Sequence, residues 1–117
     1  MAKVLIVDDA DDICFLLTHI LKGIGIHADS AYTLSDAFIA LNKNDYTIIL
    51  LDNHLPDGLG IDNIERIKKS SPGSKVIIIT ASNNENKTIA LQRGADFFIG
   101  KPFSKEIISQ AITQFLN

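Results

Sequence analysis

The strongest constraint on this chain is a strict alternation of two hydrophobic patterns. Short apolar runs rich in β-branched residues occupy positions 3–7, 26–31, 47–51, 75–80 and 96–99. Strands buried on both faces of a parallel sheet read as continuous apolar runs of this kind. The runs at 26–31 and 96–99 are the least regular of the set. Between the runs lie stripes at helical spacing. The first holds Ile13, Leu16, Leu17, Ile20, Leu21 and Ile24, the second Leu34, Ala37, Phe38 and Leu41, and the third Ile61, Ile64 and Ile67. A shorter fourth contains Ile89 and Leu91, and the last carries Ile108, Ala111, Ile112 and Phe115. Thr33 with Asp36, and Ser82 with Glu85, have capping-box spacing at the second and fourth helix starts. Gly25 and Gly94 stand where helix ends favour a left-handed residue.

Five βα units in alternation imply an α/β fold, a parallel sheet with helices on both faces. Of the common strand orders, the flavodoxin-like 2-1-3-4-5 suits five strands, giving a (βα)5 three-layer sandwich. With 117 residues the expectation is a single domain over 1–117. Apolar residues at 46% and charged residues at 21% are an ordinary globular composition. A net charge of −3 argues against a dedicated nucleic-acid binder, which usually carries a basic stripe. Cys14 is the only cysteine, so no disulfide closes within the chain and no multi-cysteine metal site is available. That usage fits a reducing, cytoplasmic compartment. The N-terminal apolar run meets acids at once, unlike a signal peptide, and no run approaches the roughly 20 residues of a membrane span.

Polar residues gather at the carboxyl ends of the expected strands. Strand 1 ends in Asp8 and Asp9, strand 3 in Asp52, strand 4 in Thr80, and Lys101 with Pro102 follows strand 5. Parallel strands all end on one edge of the sheet, and strands 1 and 3 are neighbours at the switch point where such folds bind ligands. Three crowded carboxylates repel one another, which raises at least one pKa or recruits a cation. Hard oxygens of this kind suit Mg²⁺. A metal and Lys101 would offset the acids and ready the cleft for a phosphoryl group, whose transfer needs positioning and charge neutralisation. Asp52 is then the candidate nucleophile, with Thr80 and Lys101 as partners for phosphoryl oxygens.

The segments VLIVDDADD, LLDNHLPDGLG, IIITAS and GADFFIGKPF, in this order and spacing, make the whole chain resemble the receiver domains of bacterial two-component response regulators. The resemblance implies that Asp52 is phosphorylated and that Mg²⁺, or Mn²⁺ in its stead, is held by Asp8, Asp9, Asp52 and the backbone carbonyl of His54. It implies that Thr80 and Lys101 bind the phosphoryl group. It implies a cis Lys101–Pro102 bond, and an aromatic switch at Phe98 coupled to Thr80 and to the face of helix 4, strand 5 and helix 5. The implied partners are a sensor histidine kinase or histidine phosphotransfer protein, an output domain or protein docking on that face, and a second copy in a phosphorylation-dependent homodimer. No membrane partner and no direct nucleic-acid binding by this domain are implied. Such a domain is a signalling phosphoacceptor, not an enzyme beyond its own autophosphorylation and autodephosphorylation. Phe98 replaces the family's frequent tyrosine, so switching would rest on packing alone. His54 and Ser82 flank the phosphoryl position and are expected to tune its lifetime.

Blander readings apply to several residues. Asp11 and Asp12 favour a helix N-terminus by charge. Gly58 and Gly60 read as turn residues, His19 and His27 as surface or helix-face residues, and Cys14 as a small helix-1 residue without a redox role. Three other functions use parts of the pattern. An aspartyl phosphatase usually places a second acid two residues after its nucleophile, where this chain has His54. A flavin or nucleotide binder needs a phosphate-cradling loop after strand 1, which Asp-Asp-Ala-Asp-Asp would repel. A receiver-like scaffold without phosphorylation would have lost key residues that are present here.

Overall fold

Five parallel strands form one sheet in the structure, a computed structural model describing residues 2–81 and 84–116. They are β1 (Lys3–Val7), β2 (His27–Ala31), β3 (Ile48–Leu51), β4 (Lys75–Ala81) and β5 (Phe97–Lys101), in the order β2-β1-β3-β4-β5. Helices α1 (Asp11–Gly23), α2 (Leu34–Lys43), α3 (Ile64–Ser70), α4 (Asn84–Gln92) and α5 (Lys105–Phe115) follow the strands in turn. The (βα)5 flavodoxin-like arrangement expected from the alternation is therefore the fold observed. One addition was not foreseen: a short antiparallel hairpin joins His54–Leu55 to Gly58–Leu59, directly after the end of β3.

The continuous apolar strands are explained by burial on both sides. Successive side chains of a strand point to opposite faces. Leu5, Val7, Ile49, Leu51, Val76 and Ile78 face the layer of α2, α3 and α4. Val4, Ile6, Ile48, Leu50, Ile77 and Ile79 face α1 and α5. β2 reads weakly because it is an edge strand whose HADSA sequence is fully buried only at Ala31. β5, at the other edge, runs two residues beyond the apolar run, because Gly100 and Lys101 pair with Thr80 and Ala81. No helix of the described residues is long and apolar enough to cross a membrane.

The helix stripes are mostly those expected, with local corrections. On α1 the buried positions are Cys14, Leu17, Ile20 and Leu21, whereas Leu16 and Ile24 are exposed. The small Cys14 side chain thus belongs to the core. Among the α4 residues whose burial is described, Ala90 is fully buried, flanked by half-buried Ile89 and exposed Leu91. Gly25 takes φ +80° and Gly94 φ +106° at the helix ends assigned to them, and the N–H groups behind them return to helix carbonyls. Ser82, the cap of the expected Ser82–Glu85 pair, lies outside the described residues.

The first turn of α2 shows where the orphan N–H groups of a helix start are satisfied. Thr33 caps it, its hydroxyl accepting from Asp36 N–H at 3.0 Å and its carbonyl from Ala37. The N–H groups of Leu34 and Ser35 donate to the two carboxylate oxygens of Asp57, at 2.8 and 2.9 Å. Asp57 therefore ties the loop after β3 to a helix more than twenty residues upstream. These two backbone donors hold the Asp57 carboxyl below its ordinary value of 3.8. A depressed carboxyl stabilises the fold above its unfolded pKa, and that contribution disappears as pH falls through the lower folded value. Asp57→Ala is expected to lower the melting temperature at pH 7 and speed amide exchange at Leu34 and Ser35. The gap from wild type should narrow steadily below pH 3.8; a gap independent of pH would mean that the carboxylate is not its source.

Candidate functional site

The cleft at the carboxyl edge of the sheet is built by strand ends alone. β1 delivers Asp8 and Asp9, β3 delivers Asp52, β4 contains Thr80, and β5 ends at Lys101. The ladder continues one residue past the strands: Asp8 N–H donates to Ala31 O and Asp52 N–H to Val7 O. Asp8 and Asp52 are thus held on backbone that is itself pinned to the sheet. Asp8 is further oriented by Ala10 N–H, which donates to its Oδ1 at 2.9 Å. The Cys14 thiol donates to the Asp8 carbonyl at 3.3 Å.

Asp8, Asp9 and Asp52 each place a carboxylate oxygen within 4.8 Å of the other two. Asp8 and Asp52 are buried and Asp9 is exposed, so the cluster opens to solvent on one side. Lys101 reaches in from β5, its Nζ 3.0 Å from Asp8 Oδ2 and 3.4 Å from Asp52 Oδ1. Burial pushes the Asp52 carboxyl above its ordinary value and the Asp8 charge pushes it further, against the opposing pull of Lys101. Burial works against the charge on Lys101, but hydrogen bonding to Asp8 and the Asp52 charge outweigh it and raise its pKa. One ammonium thus faces two buried carboxylates, and negative charge remains in excess. Three hard oxygen donors with one open side match what a divalent cation such as Mg²⁺ takes from a protein.

Thr80 and Phe98 lie on the same face of the sheet. Phe98 pairs in register with Ile78, and Thr80 with Gly100. Phe98 packs on the cluster that includes Ile78, Ile64 and Ala90, and alternation along β4 turns Thr80 to the side of Ile78. Thr80 is buried and Phe98 half-buried. His54 begins the hairpin, paired with Leu59, and its side chain is exposed and outside the acidic cluster. Ser82 lies outside the described residues. The Lys101–Pro102 bond is cis.

Three residues of this region were not legible as site residues. Asn53 is buried beside Asp52, and its Oδ1 accepts from Ile61 N–H at 2.9 Å while its carbonyl accepts from Gly60 N–H at 2.8 Å. Gly60 has ordinary helical dihedrals, so its role is not turn conformation. A Cβ built there would lie 2.3 Å from the Asp52 carbonyl oxygen, which makes it a close-approach glycine. Asp57 is the third, through its bonds to α2. A lone amide, glycine or turn acid carries no signal until the loop path is known.

Residues 4–113 match the family model described as the response regulator receiver domain. The chain is 34% identical over 103 residues to the KDP operon transcriptional regulatory protein KdpE of Escherichia coli, covering 88% of this chain and 46% of that protein. It is 34% identical over 115 residues to the response regulator protein PilR of Pseudomonas aeruginosa, covering 94% of this chain and 26% of that one. The chain therefore spans less than half the length of these relatives. Among solved structures, a two-component response regulator from Clostridium difficile superposes with a TM-score of 0.94 at 29% identity, over 99% of this chain and 96% of the other. The beryllofluoride-activated NtrC4 receiver domain dimer gives 0.92 at 38% identity, over 98% and 96%.

Proposed function

The chain belongs to the response regulator receiver domain family, and from that premise we propose that it accepts a phosphoryl group on Asp52 from a sensor histidine kinase or a histidine phosphotransfer protein. The observation that carries the reading is the pocket in which Asp52 meets Asp8, Asp9 and the Lys101 ammonium. Mg²⁺, or Mn²⁺ in its place, when held by Asp8, Asp9, Asp52 and the His54 carbonyl, supplies the positive charge that phosphoryl oxygens require. An Asp52 carboxylate oxygen forms the new bond to phosphorus as the phosphorus–nitrogen bond of the donor phosphohistidine breaks, the electron pair leaving with the imidazole. Lys101, already paired with Asp52, neutralises one phosphoryl oxygen, and the Thr80 hydroxyl donates to another.

The shared sheet face of Thr80 and Phe98 supports a switch. Movement of Thr80 toward the phosphoryl group vacates space beside the Phe98 ring, and the ring turns inward. With no hydroxyl to satisfy, Phe98 responds by packing alone. The α4–β5–α5 face changes with it and engages an output domain, a separate protein or a second copy of the chain. Residues 1–117 act as one receiver module in the cytoplasm, without themselves binding nucleic acid, and their chemistry ends at their own phosphorylation and dephosphorylation.

Intact mass after incubation with acetyl phosphate tests the reading. Wild type should gain one phosphoryl increment that requires Mg²⁺, and Asp52→Ala should gain none. Absence of the gain with acetyl phosphate and with a phosphorylated histidine donor, together with no beryllofluoride binding, overturns it.

A further inference from the structure

The peptide following Asp52 is gripped at three points by the turn at Leu59, Gly60 and Ile61. Gly60 closes against the Asp52 carbonyl. The Asn53 carbonyl accepts from Gly60 N–H, and the Asn53 side-chain oxygen accepts from Ile61 N–H. His54 then pairs with Leu59 in the hairpin. Of these contacts only the one made by Asn53 uses a side-chain hydrogen bond; the Gly60 contact needs the absence of a side chain, and the rest are backbone. Asn53 is 4% exposed, and burying an amide costs free energy unless it is bonded. An apolar residue would satisfy burial at lower cost, so the amide has a positional reason.

Two roles are open to it. Its oxygen satisfies an orphan N–H at the start of the short 3₁₀ turn Ile61–Asn63 that leads into α3, which is a structural service. Its bond also anchors the Asn53 Cα through the side chain, while Gly60 N–H holds the carbonyl of the Asn53–His54 peptide. That peptide leads directly to the His54 carbonyl. We infer that Asn53 is a positioning residue: its side-chain bond to Ile61 N–H holds the 52–54 backbone so that the Asp52 carboxylate and the His54 carbonyl present themselves together to a divalent cation. The inference deepens the reading of this pocket as a receiver site and rests on it. Groups that orient ligands from behind typically change metal affinity about 10–100-fold when removed.

The test is a Mg²⁺ titration without phosphodonor, followed by amide chemical shifts, on wild type, Asn53→Leu, Asn53→Ala and Ile61→Ala. Asn53→Leu keeps the branched heavy-atom skeleton and removes the acceptor. Asn53→Ala is the smaller change, should the leucine fail to fold. Ile61→Ala loosens packing of the same turn while keeping its N–H. The expected result is a rise of about tenfold in the half-saturating Mg²⁺ concentration for the Asn53 variants, with Ile61→Ala close to wild type. Amide exchange adds a second readout. Ile61 N–H should lose protection in Asn53→Leu and keep it in Asn53→Asp, which retains the acceptor. Equal weakening in Ile61→Ala, or unchanged Mg²⁺ affinity in both Asn53 variants, overturns the inference. The metal readout is independent of phosphorylation. A wild type that binds Mg²⁺ in this pocket but gains no phosphoryl mass from acetyl phosphate or a phosphohistidine donor and binds no beryllofluoride overturns the proposed function, while the measured effect of Asn53 on Mg²⁺ affinity is unaffected.

Discussion

Asp52→Asn is expected to abolish phosphoryl gain completely and, in Mg²⁺-free buffer at pH 7, to melt several degrees above the wild-type protein. Most substitutions of buried residues destabilise, so the sign is the informative part. Asp52 and Asp8 are both buried, and together they face a single ammonium, Lys101. Burial and the Asp8 charge raise the Asp52 pKa above 3.8, so the folded protein holds this proton to a higher pH than the unfolded chain. Below pH 3.8 the carboxyl is neutral in both states and costs nothing extra. As pH rises through the folded value, ionisation withdraws stability. Asparagine has nearly the same shape and never ionises, so the variant avoids that loss. The stability gap should therefore be largest near neutrality and close as the pH falls. Mg²⁺ should reverse the order, because a cation that binds only the folded form stabilises it in proportion to its occupancy, and the variant lacks one of the carboxylates. A variant less stable than wild type in the absence of Mg²⁺ would show that the Lys101 pairs outweigh the crowding of the acids.

The same electrostatic logic explains why this pocket could be read from the chain alone. Parallel strands end on one edge, so acids placed after two apolar runs, a threonine at the end of a third and a lysine after a fourth converge without further information. The central strands were legible for the same reason: burial on both faces leaves Ile48–Leu51 no polar residue to blur the pattern. At the sheet edges the signal weakens. β2 leaves His27 and Ser30 exposed and Asp29 half-buried, and β5 continues through Gly100 and Lys101 by hydrogen-bonded register after hydrophobicity has stopped.

Side-chain bonds that depend on how a loop returns were not legible. Asp57 looks like any turn acid, and nothing local shows that it reaches the start of α2. Asn53 sits between Asp52 and His54 and looks like one more polar loop residue, and its partner lies eight residues on, across a hairpin of two-residue strands too short to declare themselves. Leu16 and Leu17 are chemically equivalent neighbours on α1, and only packing decides that Leu17 is buried while Leu16 faces out.

Gly60→Ala is the substitution expected to damage fold and site together most severely. The Gly60 dihedrals, φ −56° and ψ −43°, suit any residue, so conformation is not the obstacle. The obstacle is space. The added methyl would meet the Asp52 carbonyl oxygen at 2.3 Å, the Leu51 Cγ at 3.1 Å and the Asp52 carbonyl carbon at 3.2 Å. Two of these atoms are backbone at the end of a central strand, and the third is a buried core side chain. None can withdraw as the tip of a flexible side chain does. The turn must move instead, which breaks the Gly60 and Ile61 bonds to Asn53 and lifts Ile61 and Ile64 from the core. Overpacking typically costs about 1–3 kcal/mol, and each lost hydrogen bond adds roughly 0.5–1.5 kcal/mol. A total of about 2–6 kcal/mol is a large part of a small domain's stability. It corresponds to a fall of roughly 8–24 °C in Tm. Gly73→Ala is the matched control, since a Cβ there meets nothing within 4 Å, and it should melt within a degree or two of wild type, roughly the effect of an ordinary surface substitution. If the two alanine variants melt alike, the close approach of Gly60 to Asp52 carries no energetic weight. If Gly60→Ala alone falls, the fraction that stays folded should also bind Mg²⁺ more weakly, because the displaced turn is the one that grips the peptide after Asp52.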